Sequence, residues 1–171
     1  MGTMLDACFR LAYRGAFQGA RVYWRVFRPQ NHGALVAIWH GDSVLLVKNS
    51  YVDYFSLPGG NVRADESALD AALRELKEEI NLTVDGSQLR LVLEHNHEWQ
   101  GRPDHVVIFE LNVQERPEVS VDNREVISAQ WVTPQEALSR QLFPPLRSVI
   151  ENRLTYEKGQ ATAQNKAQPL D

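Results

Sequence analysis

The sequence predicts a single globular domain of the α/β or α+β class. Short apolar runs of strand length lie on either side of a segment with helical periodicity. At 171 residues with 43% apolar side chains, the chain can fill one core, and no internal repeat or long linker divides it. We find neither an uninterrupted apolar stretch of about 18 residues nor a secretory signal. Cys8 is the single cysteine, so we expect no intramolecular disulfide and a reducing, cytoplasmic setting.

The first element is an amphipathic helix predicted over residues 5–28, which Pro29 ends. Its five arginines fall within an arc of about 60° on the helical wheel, and most other positions are apolar. That apolar surface is wider than a single helix buries on one sheet face. We therefore expect a cover, either a homodimer partner or a peripheral membrane contact with anionic headgroups. An arginine-rich targeting segment is a third interpretation.

Charge and composition set the domain limits and the class of partner. Residues 1–28 carry five arginines and one aspartate, and because the whole chain has a net charge of −4, the other residues carry −8. An acidic body argues against an extended nucleic-acid surface. We expect an N-terminal helix and linker over residues 1–32, the main domain over 33–158 and a mobile polar tail over 159–171.

The main domain begins with a hairpin and a glycine loop. Residues 34–39 and 44–48 are apolar runs separated by a turn at Gly41, and residues 54–57 lead into the loop. Thr133 and Glu136 form a capping-box pattern at the start of a later helix. The other predicted elements are a helix ending near Ile80, strands over 89–94, 106–113 and 126–132, a polar loop over 95–104, a short helix to about Arg140 and a helix over 144–156.

Three carboxylates share one face of the helix that follows the glycine loop. Glu75, Glu78 and Glu79 fall within an arc of about 100°, opposite an apolar side. Like charges at these spacings weaken a helix by about 0.2–0.5 kcal/mol per pair, whereas a hard divalent cation would be bound by them. A solvated charged face is the alternative interpretation. The glycine loop directly before the helix favours a metal site.

The same segment carries a longer pattern. From Gly60 the order is five residues, Glu66, seven residues, Arg74 and Glu75, two residues, and the pair Glu78 and Glu79. This pattern resembles the Nudix box, and residues 57–60 are similar to the lead-in of that family. The last glycine of the box is replaced by Asn81. Because asparagine is the next best residue for a left-handed helix cap, we expect a positive φ at Asn81.

The resemblance implies a Nudix-type α/β/α sandwich with a mixed sheet. It also implies hydrolysis of a nucleoside diphosphate linked to another moiety, by water attack on a diphosphate phosphorus. Glu75, Glu78 and Glu79, with the Gly59 backbone carbonyl, would hold one to three Mg²⁺ or Mn²⁺ ions. Such ions neutralise phosphate charge and lower the pKa of the attacking water.

The remaining box residues have supporting roles by the same resemblance. Arg74 orients the carboxylate that follows it, although the spacing of one residue predicts contacts with Glu78 and the loop rather than with Glu75. Glu66 lies about 180° from Glu75 on the wheel, so we assign it, with Gly60, to holding the loop and the helix start. The general base is either Glu75 or Glu125, which precedes the strand over 126–132.

The sequence leaves the substrate unknown. His95, His97 and Glu98 are candidate substrate contacts on the polar loop. Tyr51, Tyr54 and Trp99 are candidates for stacking on a base or for packing in the core. The markers of the ADP-ribose, dinucleoside-polyphosphate and NADH-cleaving relatives are missing. Two other classes stay open. One is a nucleotide-binding protein of this fold without hydrolase activity, although the box glutamates are usually substituted in such proteins. The other is a peripheral membrane protein.

Overall fold

The structure is a computed structural model that describes residues 4–166. It contains four α-helices and six strands within that range. In chain order these are α1 (Met4–Phe27), β1 (Asn31–His40), β2 (Ser43–Asn49), β3 (Gly59–Asn61), α2 (Ala68–Ile80), a 3-10 turn (Gly86–Gln88), β4 (Arg90–Trp99), β5 (Arg102–Asn112), β6 (Val126–Val132), α3 (Pro134–Leu138) and α4 (Pro144–Lys166).

The strands form one mixed sheet in the order β4-β5-β1-β2-β6, with β3 also paired to β1. Strands β1 and β5 run parallel, and the other pairs are antiparallel. Strand β1 pairs with β2 at Trp39 and His40, and with β3 at the other end, from Gly33 to Leu35. Strands β1 and β2 therefore separate toward the N-terminal end of β1. The glycine loop and β3 occupy the gap between them.

Alternate residues of β1 face two separate cores, because successive side chains of a strand point to opposite faces. Ala34, Val36 and Ile38 pack with the apolar side of α2. Leu35 and Trp39, on the other face, belong to the core that includes α3 and α4. Helices thus cover both faces, which confirms the predicted α/β/α sandwich with a mixed sheet and an N-terminal helix.

Strands β4 and β5 are longer than predicted, and the prediction of a polar loop over residues 95–104 was wrong. Only Gln100 and Gly101 form the turn, with φ of 53° and 81°, as expected for a two-residue hairpin. His95, His97 and Glu98 therefore lie on β4. Polar residues are tolerated there because β4 is an edge strand, with one side of its ladder unpaired.

The predicted helix ends are mostly found. Asn81 has φ of 55°, and its N–H donates to the Leu76 carbonyl, which confirms the left-handed cap. Thr133 and Glu136 form the expected capping box. Helix α3 ends at Leu138 rather than near Arg140, and α4 continues past residue 156 to Lys166. The predicted start of the tail, residue 159, thus lies within α4, and residues 167–171 lie outside the described range.

Candidate active site

Two glycines bring the loop against α2. Gly59 has φ of 139°, and a Cβ there would overlap the Ala34 carbonyl oxygen and lie 2.7 Å from the Leu35 Cα. A Cβ on Gly60 would lie 2.5 Å from an Oε1 of Glu75. Side chains are thus excluded at both positions, at Gly59 by conformation and backbone and at Gly60 by the space that the Glu75 carboxylate occupies.

Glu79 is the most buried acid of the helix. Its side chain accepts a hydrogen bond of 2.8 Å from the Gly59 N–H, and the residue is only 8% exposed. Burial raises the pKa of Glu79 to about 8, the Gly59 N–H opposes that change, and the negative charges of Glu75 and Glu125 add to it. The charges of Glu75, Glu79 and Glu125 therefore act on one another in this part of the molecule.

Arg74 connects the loop with the acids of α2. Its guanidinium binds both oxygens of Glu66, at 2.8 and 2.9 Å, and donates to the Asn61 carbonyl at 2.9 Å. It also donates to Glu75 at 2.6 Å and to Glu78 at 3.1 Å. The expectation that Arg74 does not meet Glu75 was wrong, because the long side chain bends back across the helix surface instead of following its own stripe.

The pKa values of Glu66 and Glu75 are shifted in opposite directions. Hydrogen bonds from Arg74 lower the pKa of Glu66 to about 2, and Glu66 also accepts from the Arg63 N–H at 3.1 Å. Burial raises the pKa of Glu75, and Arg74 counters part of that effect. Glu66 thus connects Arg63 of the loop with Arg74 on α2.

Glu125 reaches the same site from a distant part of the chain. Tyr51 donates its hydroxyl to Glu125 at 2.9 Å, and the Glu125 carbonyl accepts from the Ser50 N–H at 2.8 Å. Burial, and then the neighbouring Glu125 charge, raises the pKa of Tyr51, so the phenol stays a hydrogen-bond donor. The fold therefore brings Glu125 beside Glu75 and Glu79, whose pKa values it raises.

Glu78 stands apart from these three acids. Its side chain is 53% exposed and pairs with Arg74 and, at 3.7 Å, with Arg63. Among the side chains described, those of residues 4–156, no three acidic, histidine or cysteine side chains already converge at metal-ligand spacing. Glu75 and Glu79 nevertheless fit a hard cation, because they offer carboxylate oxygens and a divalent ion would relieve their repulsion with each other and with Glu125.

A cavity of about 370 Å³ opens beside the glycine loop and Glu125. Helix α1 forms one wall through Tyr13, Phe17 and Trp24, which the sequence did not single out as site residues. Their spacing of four and seven residues is the signal that was available, since it places them on one helix stripe. The other aromatic residues of the wall are Tyr51, Tyr54, Trp99 and Phe143.

The candidate contacts on β4 have other neighbours. The His97 ring packs against His95, Trp99 and Phe143. Glu98 pairs with Arg28 at 3.1 Å. Trp99 lines the cavity, as do Tyr51 and Tyr54. The aromatic candidates of the sequence are thus better placed for a substrate than the polar ones.

Comparison with known proteins gives a family match and a common fold. A family model described as the NUDIX domain matches residues 29–152. The crystal structure of a MutT NUDIX hydrolase from Burkholderia pseudomallei is similar with a TM-score of 0.63 and 21% identity, over 72% of this chain and 97% of that one. The MutT protein from Methanosarcina mazei Go1 has a TM-score of 0.64 and 24% identity, over 77% and 96% of the two chains.

A third similar structure contains ligands. It is a bifunctional NMN adenylyltransferase/ADP ribose pyrophosphatase from Francisella tularensis, complexed with AMP and a manganese ion. Its TM-score is 0.57 at 21% identity, over 74% of this chain and 44% of that one. No curated protein matches this chain. At these identities the structural likenesses show a shared fold.

Proposed function

The chain belongs to the Nudix family, and from this premise we propose that it is a divalent-metal-dependent pyrophosphohydrolase acting on a nucleoside diphosphate linked to another moiety. The family match and the related hydrolases support a pyrophosphohydrolase of this type. The observation that carries the proposal is the contact between the glycine loop and α2, where Gly59 binds Glu79 and Gly60 leaves room for Glu75.

The bound ion would be Mg²⁺ or Mn²⁺, held by Glu75, Glu78 and Glu79 with the Gly59 carbonyl, and it would neutralise phosphate charge and acidify water. For Glu78 this role requires its side chain to leave Arg74 and Arg63. The complex of a similar structure with manganese and AMP supports this class of cofactor and substrate. Glu66 and Arg74 would keep the loop and the Glu75 carboxylate in place while substrate binds.

We assign the general base to Glu125, with Glu75 as the alternative. Glu125 lines the cavity where substrate would lie, and Tyr51 fixes its carboxylate by a hydrogen bond. Glu75 is instead bound by the Arg74 guanidinium at 2.6 Å, so part of its carboxylate is already occupied. Within this proposal Glu125 takes the proton of the attacking water, and Glu75 contributes to the metal site.

The test uses the full chain and a panel of nucleotide sugars, dinucleotides, nucleoside triphosphates and CDP-alcohols, with Mg²⁺ and with EDTA. We expect turnover of at least one substrate with Mg²⁺ only. Glu79→Gln keeps the side-chain shape but removes one anionic ligand, and we expect turnover to fall at least about 100-fold with the fold intact by circular dichroism. Glu151→Gln, an exposed exchange on α4, is the matched control.

The outcomes of this test are distinct. Near wild-type turnover by Glu79→Gln would show that the metal assignment is wrong. Unfolding of that variant would show a structural role for the carboxylate. If no substrate of the panel is cleaved but nucleotides bind, the chain is a nucleotide-binding protein of the Nudix fold, the other class considered from the sequence.

A partner for α1 is a second part of the proposal. The outward side of α1 exposes large apolar residues. The described helices include none long and apolar enough to cross a membrane. The exposed residues are Met4, Leu5, Phe9, Leu11, Val22, Tyr23, Val26 and Phe27. We propose that a second copy of the chain covers this face, as a homodimer.

Three of the five arginines favour that partner over an anionic membrane. Arg10 and Arg14 donate to backbone carbonyls of the domain, at 3.4 and 2.9 Å, and Arg28 pairs with Glu98. Cations directed at the domain contribute little to headgroup binding. Light scattering of the wild type and of Leu11→Ser/Val26→Ser tests this. We expect a dimer that the substitutions dissociate, whereas a monomer that floats with anionic liposomes would show the membrane contact instead.

A further inference from the structure

Helix α1 crosses the cavity and is attached to the domain on both sides of it. Near its N-terminus, Asp6 pairs with Arg124 at 3.2 Å, and Arg14 binds the Ser50 carbonyl. Toward its C-terminus, the Arg102 guanidinium lies 3.7 Å from the Trp24 ring centroid. The half-buried stripe of the helix between these attachments faces the cavity, so α1 is its roof.

The cavity under α1 is an aromatic chamber that continues into the glycine loop. Seven aromatic side chains line it, three of them from α1. The Phe17 and Tyr51 rings lie 4.9 Å apart, and Tyr54 meets Trp99 at 5.7 Å on the domain side. Gly59, Gly60 and Glu125 line the same cavity. One ligand can therefore contact the rings with one part and the acidic site with another.

Polar groups among the rings distinguish between ligand classes. Asp104 is only 6% exposed and accepts a hydrogen bond of 2.7 Å from Asn31, and both residues line the cavity. Arg102 also lines it, and its buried Nε has no hydrogen-bond acceptor in the part of the chain that the structure describes. The edge of a nucleobase offers acceptors to such a donor, whereas an alkyl chain offers none.

We propose that the nucleobase of the substrate binds in this chamber under α1, so that the N-terminal helix is part of the substrate site. The inference rests on the proposed function for the class of substrate. The base stacks on the aromatic rings, which is favourable for every base because each has a π-face. Asn31, Arg102 and Asp104 contact its polar edge, and the diphosphate extends to the glycine loop. Phe17 and Trp24 are then substrate-binding residues outside the region matched by the family model.

Binding of nucleoside monophosphates tests the base site without hydrolysis, because these probes contain no diphosphate. AMP, GMP, CMP and UMP are titrated into the full chain by calorimetry, with ribose 5-phosphate as the base-free control. We expect at least one nucleotide to bind about tenfold more tightly than ribose 5-phosphate. Phe17→Ala should weaken that nucleotide about tenfold and leave ribose 5-phosphate unchanged. Leu91→Ala, at an exposed position of β4, should change neither.

Several outcomes would overturn the inference. Equal affinity for ribose 5-phosphate and all four nucleotides would exclude a base site, and equal nucleotide affinity in wild type and Phe17→Ala would exclude α1 from it. If Phe17→Ala unfolds, Phe17→Leu keeps the bulk of the side chain without the ring and should show the same loss.

Kinetics separate this inference from the proposed function. With a substrate found in the panel, Phe17→Ala should raise KM about tenfold at nearly constant kcat, because the contact exists before and during reaction. If Phe17→Ala hydrolyses the substrate with an unchanged KM, the base site under α1 is refuted and the proposed function is retained. If nucleotides bind in a way that depends on Phe17 but no substrate is hydrolysed, the pyrophosphohydrolase activity is refuted and the base site under α1 is retained.

Discussion

The left-handed cap at Asn81 can be tested by a single series of substitutions. The Asn81 N–H and the Leu82 N–H both donate to the Leu76 carbonyl, so the chain must turn at this residue for α2 to end. A β-branched side chain is penalised in the left-handed region by about 1–2 kcal/mol. Asn81→Val should therefore lower the free energy of unfolding by about that amount.

Other contributions at this position are smaller. The Asn81 side chain accepts a hydrogen bond of 2.7 Å from the exposed Lys77, and such a contact contributes about 0.2–1 kcal/mol. Glycine adopts the left-handed conformation freely but gains entropy in the unfolded chain. Asn81→Gly should thus be close to neutral, and the valine variant should melt about 2–8 °C below it.

Thermal unfolding followed by circular dichroism measures this difference in the full chain. Wild type and Asn81→Gly should melt within about 2 °C of each other, with Asn81→Val clearly lower. Equal melting temperatures for all three proteins would show that α2 does not end in a left-handed cap. If Asn81→Gly were less stable than Asn81→Val, residue 81 would not have the positive φ at which a β-branched side chain is penalised.

Three further predictions concern Gly59 in the loop, Arg74 and the half-buried His97. Gly59→Ala should destabilise the fold by about 3 kcal/mol or more in denaturant titrations, whereas Gly33→Ala, where a Cβ has only contacts of 3.8 Å or longer, should be far milder. Equal losses of stability in the two variants would contradict the close approach of Gly59 to the backbone of Ala34 and Leu35. Arg74→Lys should reduce kcat about 10-fold or more, because lysine lacks the planar fork, while the exposed Arg63→Lys should retain activity; similar kcat values would remove Arg74 from the site. Burial lowers the pKa of His97, so the folded state prefers the neutral ring, and its contribution to stability is present above pH 6.5 and is lost as pH falls below that value. In denaturant titrations at pH 5 to 8, His97→Leu should reduce the loss of unfolding free energy at low pH. If the variant shows the same pH dependence as the wild type, His97 is not its cause.

The sequence by itself determined the elements whose signals are local. The carboxylates Glu75 and Glu79 are placed by helical spacing, and the glycine loop precedes them directly along the chain. The ends of helices at Asn81 and Thr133 depend on the conformation and hydrogen bonds of a few neighbouring residues. Such features are fixed over a few residues, so the pattern predicted them together with the sandwich implied by the family resemblance.

Only the tertiary structure decided which distant residues meet. Glu125 lies close to Glu79 because Tyr51 and the start of β6 hold it there, which no spacing in the chain reveals. The polar residues of β4 form a strand because β5 supplies its hydrogen bonds, although their polarity alone indicated a loop. Arg74 meets Glu75 through side-chain flexibility that a helical wheel ignores. The roof over the cavity likewise depends on α1 packing against loops that lie far from it in sequence, and such non-local contacts are specified by the whole fold.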